Sequence, residues 1–311
     1  MAPNATRLRV LYFNYYTFND DKMLFHTENP LQFAFSKLGN DDELADDTKK
    51  FGFIGVPFDS TSTYKPGARF GPRAVREASY NFERYNVLLD KNLDVSIFDF
   101  GDIEVIQGNF EKTSSIIEFT VKELLDENII PVAVGGEHTI SEGILKALDV
   151  ENTTIVHFDA HMDLRDEYMG EKYSHASVMR RIFDLNPKDI IQIGIRSCSA
   201  DEVSFAKENK ITHFTPHEVN KNMELVKNTI KNIEGPLYIT VDIDVLDPAY
   251  APSVGTPSPC GLNPFQLESL VHCLKDKEVI GFDLVELSST EIGDITSING
   301  AKVVYDFLAV Q

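Results

Sequence analysis

Three short stretches of this chain finish in residue types that hold metal ions. GGEHT (135–139) presents His138 just past a double glycine, DAHMD (159–163) offers Asp159, His161 and Asp163, and DIDVLDP (242–248) offers Asp242 and Asp244. In an extended segment, side chains two residues apart point to one side, so the 159–163 trio and the 242/244 pair could each converge if their strands continue. Together they amount to four carboxylates and two imidazoles. One ion would be over-supplied, whereas two ions sharing bridging carboxylates use the whole set. Oxygen ligands outnumber nitrogen and sulfur is missing from the set, which suits manganese better than structural zinc or copper, with zinc and iron as alternatives. A pair of such ions roughly 3.5–4 Å apart can acidify a water held between them and so run a hydrolysis at neutral pH.

Each motif alone has a plainer reading. HxD after a strand is commonly a polar turn, DxD a solvated loop or helix cap, and GGEH a tight turn leading into a helix. What separates them from those readings is their position. Each follows an apolar run, at 129–135, 154–158 and 237–241, of the kind expected of strands buried on both faces. Carboxylates gathered at the ends of such strands repel one another and lose hydration unless cations compensate.

The elements that must position these groups are legible from Phe51 onward. FGFIGVPF, VSIFDF, IIPVAVGG, TIVHFDA, IIQIGI, ITHF, LYITVDIDV and VIGFDLVEL read as strands. Between them PRAVREASYNFERY, KTSSIIEFTVKELLDEN, SVMRRIFDLN, MELVKNTIKNIEG and PFQLESLVHCLKD carry a helical period. Such alternation predicts an α/β fold with a parallel sheet and helices on both sides, with ligands collecting at the carboxyl ends of the strands. There is no internal repeat, coiled coil or low-complexity tract. Residues 1–50 stand apart, patchy and closing in the acidic, polar run 39–50, and read as an N-terminal extension to a catalytic domain over 51–311.

Composition narrows the function classes. The chain has 311 residues, 42% hydrophobic and 25% charged, enough for a core without disulfides. Cys198, Cys260 and Cys273 form no CxxC pair and read as reduced thiols of a cytoplasmic protein. The opening MAPNATRLRVLYFNYYTF lacks a continuous apolar core and a small-residue cleavage site, so neither a signal peptide nor a membrane segment is expected. With 29 basic against 49 acidic residues the formal charge is −20. That field repels nucleic acid and anionic membranes and attracts small cations, though it also serves solubility.

The ordered series GVPFDSTSTYKPGARFGPRAVREAS (55–79), GGEHTIS (135–141), HFDAHMDLRDEY (157–168), SHASVMRRI (174–182), TVDIDVLDPAYAPSVGTPSPCGL (240–262) and GFDLVEL (281–287) resembles the ureohydrolase family of arginases, agmatinases and formimidoylglutamases. The pattern is nearest to archaeal-type agmatinases. The resemblance implies a three-layer αβα sandwich whose mainly parallel sheet has about eight strands. It implies two Mn2+ ions, one held by His138, Asp159, Asp163 and Asp242, the other by Asp159, His161, Asp242 and Asp244, with Asp159 and Asp242 bridging. It also implies that His175 serves as a proton shuttle or general acid, that Glu286 pairs with the substrate guanidinium, and that Asp163 carries a proton to the leaving amine. The plainer readings are a helix-capping histidine and a buried glutamate held by an arginine. No organic cofactor is needed, and relatives that form trimers or hexamers imply a homo-oligomer.

The implied reaction releases urea from a small cationic guanidino compound, with agmatine, yielding putrescine for polyamine biosynthesis, as the first expectation. Arg165 stands two positions after Asp163, where the arginase pattern has asparagine, and Asp166 and Glu167 follow it. Either Arg165 receives a substrate carboxylate, as in arginine or guanidinobutyrate, or Asp166 or Glu167 ties it up; the second is expected. Asp166, Glu167 and Glu171 would then make an acidic entrance for the agmatine dication. Aminopropylagmatine fits the same pattern. Cys260 departs from the glycine of the family's GTPxPGG turn. A deacetylase sharing the broader fold and a non-catalytic relative are the competing classes. Paired ligand motifs and Glu286 weigh against the first, and the complete ligand set against the second.

Overall fold

The computed structural model describes residues 31–38 and 48–311. Its strands are β1 (Lys37–Leu38), β2 (Lys50–Val56), β3 (Tyr85–Asn86), β4 (Lys91–Asn92), β5 (Ser96–Asp102), β6 (Ile129–Gly135), β7 (Thr154–Phe158), β8 (Asp189–Ile193), β9 (Thr212–Phe214), β10 (Leu237–Asp242) and β11 (Val279–Val285). The helices are α1 (Gly71–Ser79), α2 (Phe110–Asp126), α3 (Ile140–Leu145), α4 (Val178–Asp184), α5 (Ala200–Glu208), α6 (Pro216–Lys221), α7 (Met223–Lys231), α8 (Pro264–Val271) and α9 (Ile295–Val310).

One sheet carries the fold, in the order β1-β5-β2-β6-β11-β10-β7-β8-β9, and every pairing in it is parallel. Eight of its strands are the eight apolar runs read from the sequence; the ninth, β1, is a two-residue edge strand. β3 and β4 form a separate antiparallel ribbon.

Alternation along the strands builds two cores. Val132 and Val134 of β6, with Val156 and Phe158 of β7, face a layer that contains Val75 of α1, Leu270 of α8 and Val304 of α9. Ala133 and Ile155, one position out of step, face Ile117 of α2, Ile144 of α3 and Ile182 of α4. The period-2 direction of side chains in the sheet thus yields the three-layer αβα sandwich. All six residues of β10 and all five of β7 are buried, which explains their nearly unbroken apolar runs.

The compact unit runs from Leu31 to Gln311. Phe33 stacks on Phe53 with ring centroids 5.1 Å apart, and its N–H donates to Asp99 at 2.7 Å. Lys37 and Leu38 extend the sheet beside β5. The remainder of the N-terminal extension expected over 1–50, residues 1–30 and 39–47, lies outside the described residues.

The four central strands β6, β11, β10 and β7 end at one place, and GGEHT, GFDLVEL, DIDVLDP and DAHMD are their ends. The double glycine permits this at β6. Gly136 N–H donates to Val56 O at 3.0 Å, Glu137 N–H donates to Phe58 O at 2.8 Å, and a Cβ on Gly136 would stand 1.9 Å from Phe58 O. Backbone on the facing side cannot rotate away as a side chain could. The variant Gly136→Ala should therefore lose at least about 1–3 kcal/mol of stability. Urea denaturation read by circular dichroism checks this, and a midpoint equal to that of the parent protein would contradict the packing described here.

Candidate metal centre and active site

The expected ligands meet at the carboxyl ends of those four strands. His138 Nδ1 lies 3.2 Å from Asp159 Oδ2, 3.4 Å from Asp163 Oδ2 and 3.7 Å from Asp242 Oδ2. His161 Nδ1 lies 3.0 Å from Asp244 Oδ2 and 3.4 Å from Asp159 Oδ1. The six residues thus form two subclusters that share Asp159. His138 and all four aspartates are buried, and only His161 is partly open.

Continued strand alternation is not what brings them together. β7 stops at Phe158, and Asp163 turns back with φ of 52°. β10 stops at Asp242, whose Oδ1 accepts the Asp244 N–H at 2.7 Å across a 3-10 turn over Ile243–Val245. Glu286, just past β11, has φ of 64°. Left-handed backbone at non-glycine residues costs energy and persists where the surroundings impose it; here two such residues face the same cluster.

Side chains outside the expected set decide which atoms face inward. Tyr238 and Thr240 both donate hydroxyl hydrogens to Asp283, Thr240 at 2.6 Å. With its one hydrogen used, the Thr240 oxygen accepts from His138 Nε2–H at 2.8 Å. Nδ1 of His138 is then left facing three carboxylates, fully buried; burial pulls the ring down, but Asp159 and Asp163 outweigh it and raise His138 well above its ordinary range, so Nδ1 holds a proton among them. One imidazole nitrogen aimed at three buried carboxylates holds a proton where a divalent ion can take its place, so this donor set fits a bound divalent ion. Gln192 works likewise from β8, donating from Nε2 to His157 Nδ1 at 2.9 Å, so that His157 Nε2–H donates to Asp159 Oδ2 at 2.8 Å. Ligand atoms of Asp159, His161 and Asp244 lie close enough together to hold an ion; those of His138, His157 and Asp159 lie as close, with both ring nitrogens of His157 already engaged. His157, Gln192, Thr240 and Asp283 were not among the sequence candidates. Their signal was a polar residue inside an otherwise apolar strand.

Burial dominates the electrostatics. It pushes Asp242 well up, reinforced by Asp244 and Asp159, and it raises Asp163 to about 7 together with the charge of Asp159. Burial also pushes on Asp159, but His157, His138 and His161 outweigh it and hold that carboxyl well below its ordinary range. Burial pulls His161 down, yet Asp244 and Asp159 lift it to about 12. The cluster by itself therefore holds protons at neutral pH.

Beside it is a cavity of about 210 Å³ lined by Asp163, Arg165, His175, Cys198, Asp242 and Glu286, among others. Glu286 is buried and accepts the His138 N–H at 2.8 Å; among the described residues no arginine pairs with it. The His175 ring does not cap the following helix. Its Nδ1 lies 3.1 Å from Thr61 Oγ1, and burial, then His161 and His138, pull it down to about 4.

Arg165 does line the cavity, and its partner corrects the expectation. Asp166 is bound instead by Arg181 at 2.8 Å, while Arg165 Nε lies 3.5 Å from Glu202 and its guanidinium sits 4.9 Å from the centre of the Tyr168 ring. Glu202 is held there because it closes the capping box of α5 with Ser199, a placement that nothing near Arg165 in sequence reveals. Cys260 takes the left-handed conformation, φ 65°, open to the glycine of the resembling turn.

Residues 49–309 match the family model of the Arginase family. An uncharacterized 32.2 kDa protein of Methanothermus fervidus is 49% identical over 278 residues, spanning 89% of this chain and 98% of that one. The N(1)-aminopropylagmatine ureohydrolase of Thermococcus kodakarensis is 39% identical over 262 residues, 82% of this chain and 88% of that one. Among solved structures, the agmatine ureohydrolase of Thermoplasma volcanium superposes with a TM-score of 0.80 at 33% identity, covering 91% of this chain and 94% of that one.

A divalent ion entering the cluster must displace the protons it holds. Raising the pH through about 7 removes the Asp163 proton in advance, so manganese should bind more tightly at pH 8 than at pH 6 and release at least one proton per chain near neutrality. Calorimetric titrations in two buffers of different ionisation enthalpy count those protons. Affinity independent of pH, with none released, would contradict the charge state described.

Proposed function

This chain belongs to the arginase family of metal-dependent amidinohydrolases, and we propose that it releases urea from agmatine, leaving putrescine, with two manganese ions. The observation that carries the metal reading is the buried Nδ1 of His138 aimed at three carboxylates. One ion would be held by His138, Asp159, Asp163 and Asp242, the other by Asp159, His161, Asp242 and Asp244. When bound, the pair supplies charge neutralisation and a water acidified enough to act as nucleophile.

The chain's own groups do the rest. Glu286, fixed at Oε1 by the His138 N–H, presents a carboxylate whose geometry suits a planar guanidinium, so the substrate carbon is positioned before reaction. Asp163 carries a proton to the leaving amine. His175, anchored through Nδ1, exchanges protons with solvent from its other ring nitrogen.

For the substrate, the engagement of Arg165 with Glu202 and Tyr168 supports a tail without a carboxylate, and the charge of −20 favours a dication. The Thermoplasma volcanium neighbour is named for agmatine. A second reading, aminopropylagmatine, is favoured by an adjoining cavity of about 380 Å³ that shares Thr63 and Tyr168 with the first and is lined by Glu111, Glu171 and Tyr173. It offers room and carboxylates for a further ammonium, and the Thermococcus kodakarensis relative is named for that substrate. Among the described residues no helix is long and apolar enough to cross a membrane.

Manganese-loaded protein should release urea from agmatine faster than from arginine or guanidinobutyrate. Urea from none of these, nor from aminopropylagmatine, would end this reading. Asp159→Asn should lose both metal and activity. Glu286→Gln should keep its manganese by mass spectrometry but lose about 10²- to 10³-fold in kcat/KM, the consequence of breaking a buried charge pair worth several kcal/mol. Glu171→Gln should weaken aminopropylagmatine by up to about fivefold, as expected for an exposed charge, and agmatine less. Equal effects on the two would leave the shorter substrate as the better fit.

A further inference from the structure

Glu137 and Thr61 belong to conspicuous motifs, GGEHT and DSTST, yet neither touches the metal cluster through its side chain. Glu137 is fully buried, and its carboxylate accepts four hydrogen bonds. Oε2 takes the N–H groups of Ser60 at 2.8 Å and Thr61 at 2.7 Å. Oε1 takes the hydroxyls of Thr61 at 2.9 Å and Thr139 at 2.6 Å. Two donors at each oxygen fill the acceptor capacity of the carboxylate and leave neither oxygen free to offer a hydrogen back to Thr61.

The consequence runs through Thr61. A hydroxyl has one hydrogen, and this one is directed at Glu137. Its oxygen nevertheless lies 3.1 Å from His175 Nδ1 and 3.0 Å from the His175 backbone N–H. An oxygen with no hydrogen left to offer can only accept, so the ring nitrogen must be the donor. A neutral imidazole protonated at Nδ1 has its lone pair at Nε2. Tyr168 meets the ring edge-on, centroids 5.8 Å apart at 89°, and restrains its tilt.

From this geometry we infer that Thr61 and Glu137 are positioning residues that fix the tautomer of His175, keeping its proton on Nδ1 and presenting Nε2 to the cavity as a proton acceptor. Glu137 orients the threonine hydroxyl, Thr61 orients the imidazole, and neither reaches the reacting atoms. The tautomer follows from hydrogen bonding alone. Its effect on turnover rests on the proposed urea-releasing reaction.

The test compares manganese-loaded wild type, Thr61→Val and Thr61→Ser with agmatine. Valine keeps the shape and the backbone N–H to Glu137 but removes the acceptor. It should keep the manganese content and hold KM within about twofold, while kcat falls by about 10- to 100-fold, part of what a general acid–base group contributes. Serine should restore kcat to within about threefold of wild type. A valine variant with unchanged kcat would overturn the inference. So would loss of its manganese, which would make Thr61 a prop of the metal site, or a serine variant as slow as the valine one, which would make the methyl group the important part. Neutron diffraction from wild-type crystals grown at pH 8 judges the tautomer independently of catalysis. A deuteron on His175 Nδ1 is expected, and a bare Nδ1 would sink the inference. If wild type releases no urea from agmatine, the proposed function fails while the neutron result still stands or falls by itself.

Discussion

Four buried aspartates packed around two histidines repel one another, and the centre of this molecule is organised around that repulsion. In so dry a place the acids hold protons or surround cations. No lysine or arginine pairs with these carboxylates among the described residues: the cluster's ion pairs run only to His138, His157 and His161, and Arg196 reaches the backbone carbonyl of Asp244 at 2.7 Å. The destabilising crowd is therefore also the binding site, and an incoming divalent ion meets groups already aimed at it.

That aim depends on an outer ring of hydrogen-bonding side chains. Asp283 takes the hydrogen of Thr240, which turns His138 one way round; Gln192 turns His157, which steadies Asp159; Glu137 and Thr61 address His175. In each case a residue with a fixed donor or acceptor role settles the tautomer of an imidazole one step further in. These contacts reach from β8, β10 and β11 and from the turns after β2 and β6, so the site is held by the sheet as a whole.

The sheet can do this because its strands are parallel and their carboxyl ends lie together. β6, β11, β10 and β7 are neighbours in space although other elements separate them in sequence. Close approach at Gly136 and left-handed backbone at Asp163 and Glu286 then turn the chain inward at their ends. The cavity beside the cluster is lined also by Arg165, Glu202 and Tyr168, and the carboxylates Glu111 and Glu171 line the adjoining space. On the proposed reading, chemistry and choice of substrate fall to different layers, the first to strand ends and the second to loops.

The amino-acid sequence by itself determined the eight principal strands, because burial on both faces demands unbroken apolar runs, and it singled out the candidate ligands, because carboxylates gathered at the ends of such strands repel one another unless cations compensate. It was silent about α9, which is buried on nearly every side and so shows no amphipathic period. Only the tertiary structure decided the partner of Arg165, since Glu202 is 37 residues away and placed by a helix cap, and only it revealed Thr240, Gln192 and Glu137 as the groups that orient the histidines. The reason is physical. Hydrophobic pattern and residue chemistry are local properties of the chain, whereas the direction of a hydrogen bond depends on which strand end lies beside which, and that is known only once the sheet has closed its ranks.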